Sequence, residues 1–257
     1  VKTMAGSVTV TAGELWLAIR REAAAAIAAD PFLEASAAFI LDQGDLGGAL
    51  AFLIGRHIGR AEEDRAQFMR AAREAYAAEP ALVDAAATDL TVIVRRDPAI
   101  TGFLPPLLNF KGFVALQAWR VSNWLWREDR PDLALMMQSA TADQLQISIH
   151  PSARIGTAVF LDHGTGIIIG ALASVGDEVT ILQNVTIARH QDDPRRAPKI
   201  GRGVLLSAGA TVIGHFSIGD FARIGAGALV TTDVPAGCTA VGVPARLTNC
   251  AEAGPLS

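Results

Sequence analysis

The chain of 257 residues is long enough for one large domain or two ordinary ones, and 51% of its residues are apolar, so it can bury a substantial core. Its 22 Lys and Arg against 26 Asp and Glu give a formal charge of -4, which leaves no basic surplus to draw in a nucleic-acid backbone. Cys238 and Cys250 lack C-x-x-C spacing, so the sequence suggests reduced thiols in a cytoplasmic protein, with neither a disulfide framework nor a zinc ribbon. The opening "VKTMAGSVTVTAGELW" lacks the charged, apolar and small order of a secretion signal, and stretches such as "FLPPLLNF" are too short and proline-broken to cross a membrane.

Residues 12–142 are rich in Ala, Leu, Arg and Glu, with apolar residues returning every three or four positions, which predicts helices. Thr11 and Glu14 form a capping box ahead of the first, and "ADP" at 29–31, "EP" at 79–80, "RDP" at 96–98 and "DRP" at 129–131 supply breaks. The stretch from Pro105 through "KGFVALQAWRVSNWLWRED" reads as one long helix, with Phe113, Leu116, Trp119, Trp124 and Leu125 on its buried or interface side.

From Ile149 the period changes to six: Ile149, Ile155, Leu161; Ile169, Val175, Ile181, Ile187; Ile200, Leu206, Val212, Ile218, Ile224, Val230. Small or β-branched residues recur four places on, as at Val159, Thr165, Ala173, Val179, Val185, Ala210 and Ala222. Such hexads predict a parallel β-helix, each coil stacking its aliphatic residues on the coil before. Two interruptions break the rhythm: two extra residues near Ile167, and the polar excursion "ARHQDDPRRAPK" between Ile187 and Ile200. Loops leave a solenoid at such places and commonly carry its function.

On "RDPA" at 96–99, "FKGFVALQAWR" at 110–120, "IHP" at 149–151, "LDHGTG" at 161–166, "APKIGRGV" at 197–204 and "GVPAR" at 242–246, the chain resembles the serine acetyltransferase family over nearly its whole length. The resemblance implies an α+β chain: an all-helical N-terminal domain (1–143) for oligomerisation and part of the acceptor site, a left-handed β-helix (144–247), and a short C-terminal tail (248–257). The left hand is an exception to the usual crossover rule. It further implies a homotrimer with sites between subunits, two trimers being joined through the helices, and acetyl transfer from acetyl-CoA to a serine hydroxyl on the way to cysteine. No metal is expected.

A serine hydroxyl needs a base as it attacks a thioester, and a histidine neutral near pH 7 suits. The family's catalytic base falls on His163. Asp162 and Asp97 match acids that hold the substrate ammonium, and Arg196 the arginine that pairs with its carboxylate, a receptor suited to a zwitterion. Ala208 and Ala226 match small positions along the pantetheine groove, with Arg223, or Lys199 nearby, toward the CoA phosphates. No phosphate-cradling glycine loop accompanies them.

The chain also departs from the family. Ser148 stands where an aspartate partners the catalytic histidine, and the hydroxyl can accept a hydrogen bond from the ring without supplying charge. Ala197 replaces an acceptor-binding histidine, Ala171 a glutamate and Arg189 a glycine in a shortened loop, where His190 is the nearest substitute. These changes leave open a different hydroxyl or amine acceptor in a specialised pathway. They also leave open a scaffold that has lost turnover and serves assembly. A zinc hydrolase drawing on His150, His163, His190 and His215 lacks the close histidine pair expected for it. The tail "AEAGPLS" lacks the family's final isoleucine, so docking on cysteine synthase is not expected.

Overall fold

The computed structural model describes residues 11–190 and 196–250. The helical half runs α1 (Ala12–Ala29), a 3-10 turn (Pro31–Leu33), α2 (Glu34–Asp42), α3 (Leu46–Ile58), α4 (Glu62–Ala78), α5 (Ala81–Arg96), α6 (Leu104–Asn109), α7 (Lys111–Arg127) and α8 (Pro131–Leu145). Thr11 and Glu14 form the expected capping box, and α1, α4, α5 and α7 end at or within two residues of the foreseen breaks. Two breaks among these helices were not foreseen: one at 59–61 between α3 and α4, and one where Asp45 starts α3, its Oδ1 accepting from Gly48 N at 2.7 Å.

The long helix expected from Pro105 is instead two. Phe110, with φ -88 and ψ 98, leaves helical space between α6 and α7, and its ring stacks on Phe160 with centroids 6.4 Å apart. The interruption lets α7 begin against the β-helix. Phe113, Leu116, Trp119, Trp124 and Leu125 are all buried, as their spacing predicts.

The second half is a solenoid of short strands: β1 (Ser148–Ile149), β2 (Arg154–Ile155), β3 (Phe160–Leu161), β4 (Ile168–Ile169), β5 (Ser174–Val175), β6 (Thr180–Ile181), β7 (Thr186–Ala188), β8 (Lys199–Ile200), β9 (Leu205–Leu206), β10 (Thr211–Ile213), β11 (Ser217–Ile218), β12 (Arg223–Ile224), β13 (Leu229–Val230), β14 (Thr239–Val241) and β15 (Arg246–Thr248). They form three faces, ordered β1-β4-β7-β10-β13, β2-β5-β8-β11 and β3-β6-β9-β12-β14-β15, parallel except for the last pair. The register stacks Ile149, Ile169, Ile187, Val212 and Val230 on the first face. Ile155, Val175, Ile200 and Ile218 stack on the second, and Leu161, Ile181, Leu206 and Ile224 on the third. The hexad ladder is thus the core of the coil, and truncating one rung to alanine is expected to cost about 2–5 kcal/mol.

Thr165 is the exception among the small positions. It is exposed, and Ile167 fills the interior slot, because the two extra residues widen that corner. The helices cap the open end of the solenoid: Trp119 Nε1 donates to His150 O at 3.2 Å and Asn123 Nδ2 to Pro151 O at 2.7 Å, supplying partners that a preceding coil would otherwise provide.

The expectation of reduced thiols is corrected. The antiparallel turn-back of β15 on β14 pairs Thr239 with Thr248, bringing the flanking Cys238 and Cys250 to a Cα separation of 4.1 Å, and they form a disulfide. The remainder of the tail, "AEAGPLS", lies outside the described residues. Among the described residues no helix is long and apolar enough to cross a membrane.

Candidate active site

Asp162, His163 and Gly164 follow β3 at the corner between the third and first faces. Leu161 and Ile169 are eight residues apart, whereas their stacking partners Ile181 and Ile187 are six apart. The surplus forms a tight turn in which Gly164 N donates to Asp162 O at 2.6 Å and Thr165 N to His163 O at 3.0 Å. His163 has φ 58, but Ala158, Leu172, Glu178, Asn184 and Phe221 take the same conformation at other corners. Its left-handed backbone therefore belongs to the coil geometry and is not strain stored for chemistry.

The turn is held from outside by α7. A methyl on Gly112 would overlap the Leu161 carbonyl oxygen, so this glycine allows helix and turn to touch backbone to backbone, while a Cβ on Gly164, whose φ is 79, would press on Ile147 Cδ1 at 2.7 Å. Lys111 Nζ donates to Thr165 Oγ1 across the same seam. The His163 ring projects outward, 72% exposed, with Nε2 3.8 Å from Asp162 Oδ1, and Asp162 is 30% exposed. The imidazole and the carboxylate thus stand together on an accessible surface.

Ser148 sits on β1, paired with Ile168. Its Oγ accepts from Gln138 Nε2 of α8 at 3.2 Å, and no hydrogen bond joins it to His163 among the described residues. Asp97 ends α5, where Oδ1 accepts from Ala99 N at 2.9 Å in an Asx turn. Beside it, Arg96 Nη1 donates to Thr180 Oγ1 of β6 at 2.7 Å, fixing the end of α5 to the third face one coil above β3.

Arg189 and His190 follow β7, and Arg196 precedes β8, at the corner between the first and second faces. That is the opposite edge of the first face from His163. Arg189 lies near His150, where its charge adds to burial in holding the imidazole below its ordinary range. His150 Nδ1 also takes Ser152 N at 3.0 Å. Ala197 is buried, Ala171 partly so, and the Ala197 carbonyl lies 3.3 Å from His215 Nδ1.

Ala208 and Ala226 occupy the corner of His163 at later levels of the coil, joined by Gly227 N donating to Ala208 O at 2.9 Å. A Cβ added to Gly227 would meet nothing within 4 Å, so the wall above these alanines is open, as a thin pantetheine arm requires. Arg223 and Lys199 are exposed on strands β12 and β8. Among the described residues no group of three His, Cys, Asp or Glu could hold a metal, so the zinc reading has no ligand set there.

Motif reading located His163 and Asp162 but did not single out Lys111, Gly112 and Gln138. The first two stood in the quoted "FKGF", where the break before α7 was the missing signal.

A helical half seated on a left-handed coil of hexapeptide repeats, with a histidine and an aspartate in a widened corner, defines a hexapeptide-repeat acyltransferase. Residues 15–118 match the family model described as serine acetyltransferase, N-terminal. Over 235 residues the chain is 39% identical to the serine acetyltransferase of Salmonella typhimurium, covering 91% of this chain and 86% of that protein. The soybean serine acetyltransferase complexed with serine superposes with a TM-score of 0.88 at 39% identity, covering 92% of this chain and 98% of the other. The Brucella abortus serine acetyltransferase in complex with coenzyme A gives 0.88 at 37%, covering 91% and 94%. The chain belongs to the serine acetyltransferase family.

Proposed function

We propose that the protein transfers the acetyl group of acetyl-CoA to the hydroxyl of L-serine or a serine-like hydroxy amino acid, with His163 as general base. One observation carries the reading: His163, Ala208 and Ala226 share a single corner column of the coil, so a thioester lying along the small-residue wall reaches the imidazole. Relatives bound to serine and to coenzyme A support it.

In this reading Asp162 and Asp97 hold the acceptor ammonium and Arg196 its carboxylate, with Arg189 and His190 bordering the same pocket. His163 takes the hydroxyl proton as the oxygen bonds to the thioester carbon. The imidazolium then returns the proton to the sulfur as the C–S bond breaks. Acetyl-CoA supplies the activated acetyl group, with Arg223 near its phosphates. Ser148 holds no charge, so the imidazolium is left with the neighbouring carboxylate of Asp162.

The opposite-edge placement of His163 and Arg196 supports a homotrimer in which a neighbour's loop completes each site. The apolar Ile168, Leu172 and Phe221, exposed on the coil surface, suit such contacts. In the same reading the helical domain (1–143) joins two trimers, the β-helix (144–247) carries the donor site, and 248–257 forms the tail. We place the protein in the cytoplasm, where the Cys238–Cys250 pair meets a reducing poise.

The test is acetyl-CoA-dependent thiol release across a panel of hydroxy amino acids and amines. The reading expects release with serine or a close analogue and its loss in His163→Ala. Release only with another acceptor class would favour the second reading, an altered acceptor, which the buried Ala197 motivates. Tight acetyl-CoA binding without turnover would leave an assembly scaffold.

A further inference from the structure

Deep in the seam between the two halves lies a buried ionic node unrelated to the groups that touch substrate. Asp89 of α5 is 0% exposed and Arg120 of α7 is 5% exposed. Asp89 Oδ2 accepts from Arg120 Nη2 at 2.7 Å, Arg120 Nε at 3.3 Å and Gln117 Nε2 at 3.2 Å. Its Oδ1 accepts from Val159 N at 3.0 Å, and Arg120 Nη2 also donates to Gly156 O at 2.9 Å. One carboxylate therefore ties three parts together: α5, α7 and the segment that enters β3.

Each of those parts delivers a piece of the acceptor site. Val159 immediately precedes β3, which leads into Asp162 and His163. Helix α7 begins at Lys111 and Gly112, which abut that same turn. Helix α5 ends at Arg96 and Asp97, two turns beyond Asp89. We propose that Asp89 is a positioning residue for the acceptor pocket, setting Asp97 against Asp162 and His163 through Arg120 and the Val159 amide. The inference rests on the acceptor reading above.

Apolar packing alone would leave the helices free to slide on the coil, because hydrophobic contact is not directional. A carboxylate on one element taking donors from two others has one arrangement that satisfies them all, and a buried ion pair broken on one side leaves an uncompensated charge. Burial pushes the Asp89 carboxyl upward, against the pull of Arg120 and the donated hydrogen bonds. The donor wall at Ala208 and Ala226 lies levels away and takes no part in the node.

The experiment compares the parent with Asp89→Asn and with the double variant Asp89→Asn/Arg120→Gln, which removes both charges and so leaves no orphan. In the folded double variant, KM for the amino acid is expected to rise about tenfold or more while KM for acetyl-CoA stays within about twofold, since a small misplacement acts on the acceptor alone. Rescue of the melting temperature without rescue of acceptor KM supports positioning. Unchanged acceptor KM, or equal loss in both substrates, overturns it. If the parent turns over no acceptor, the functional reading fails separately. Hydrogen exchange then decides the node: faster exchange at residues 159–165 in the double variant supports it, and unchanged exchange overturns it.

Discussion

Gly112 at the start of α7 lies against the carbonyl of Leu161 so closely that no side chain fits between them. The turn of the coil that carries Asp162 and His163 is thereby braced by the helical half. Gly112→Ala is expected to push α7 away from residues 161–165, lowering kcat/KM about a hundredfold through misplacement of His163 and costing about 1–3 kcal/mol of stability. Steady-state kinetics with thermal melting check both. A variant with unaltered kcat/KM would show that the seam does not locate the base.

Ser148 leaves the histidine without the carboxylate that the family sets beside it, its hydroxyl engaged instead by Gln138. Restoring a carboxylate with Ser148→Asp is expected to raise kcat about tenfold or more, within the range such a partner commands in comparable sites. The measurement is kcat at saturating substrates, and a fall would mean that the pocket has been rebuilt around the hydroxyl.

The Cys238–Cys250 bridge closes a short loop of sequence separation 12 at the far end of the coil. Reduction, or Cys250→Ser, is expected to cost about 2–3 kcal/mol by freeing the unfolded chain of a closed loop. Thiol titration before and after reductant, with melting curves, tests this. Two free thiols in unreduced protein would count against the bridge.

His150 is held below its ordinary value of 6.5 chiefly by burial and secondarily by Arg189. Because the folded state binds the proton less readily than the unfolded one, its contribution to stability is present above about pH 6.5 and is lost as pH falls through the depressed folded value. Melting temperature should therefore drop between about pH 7.5 and 5.5, and His150→Gln should flatten that part of the profile. An unchanged slope would assign the acid sensitivity elsewhere, with the half-buried and likewise depressed His57 next to be tested.

The coil was legible because its rungs are one residue type at one spacing: Ile149 to Val230 sit in the core in the register that their hexads predict. The corner that carries His163 and Asp162 was legible because a surplus of two residues marks a break in an otherwise strict period, while their roles rest on the family resemblance. Phe110 was not, since its departure from helix answers to Phe160, fifty residues on, and no local pattern encodes that partner. Cys250 was misread for a related reason: only the reversal of β15 brings it to Cys238, so spacing along the chain carries no trace of the pairing. Asp89 looked like one more polar residue on an amphipathic helix until α7 and Val159 closed over it.

In the proposed reading the acceptor is held by both scaffolds, which meet at a single seam, and the donor by one. The alanine wall belongs wholly to the coil, whereas Asp97 arrives from the helices. Recombining a helical half from one relative with a coil from another should therefore change the acceptor KM through Asp97 while leaving the donor wall as its parent coil has it. Such a chimera needs glycine kept at 112 of the helical parent, for a side chain there would overlap the Leu161 carbonyl of any coil set against it.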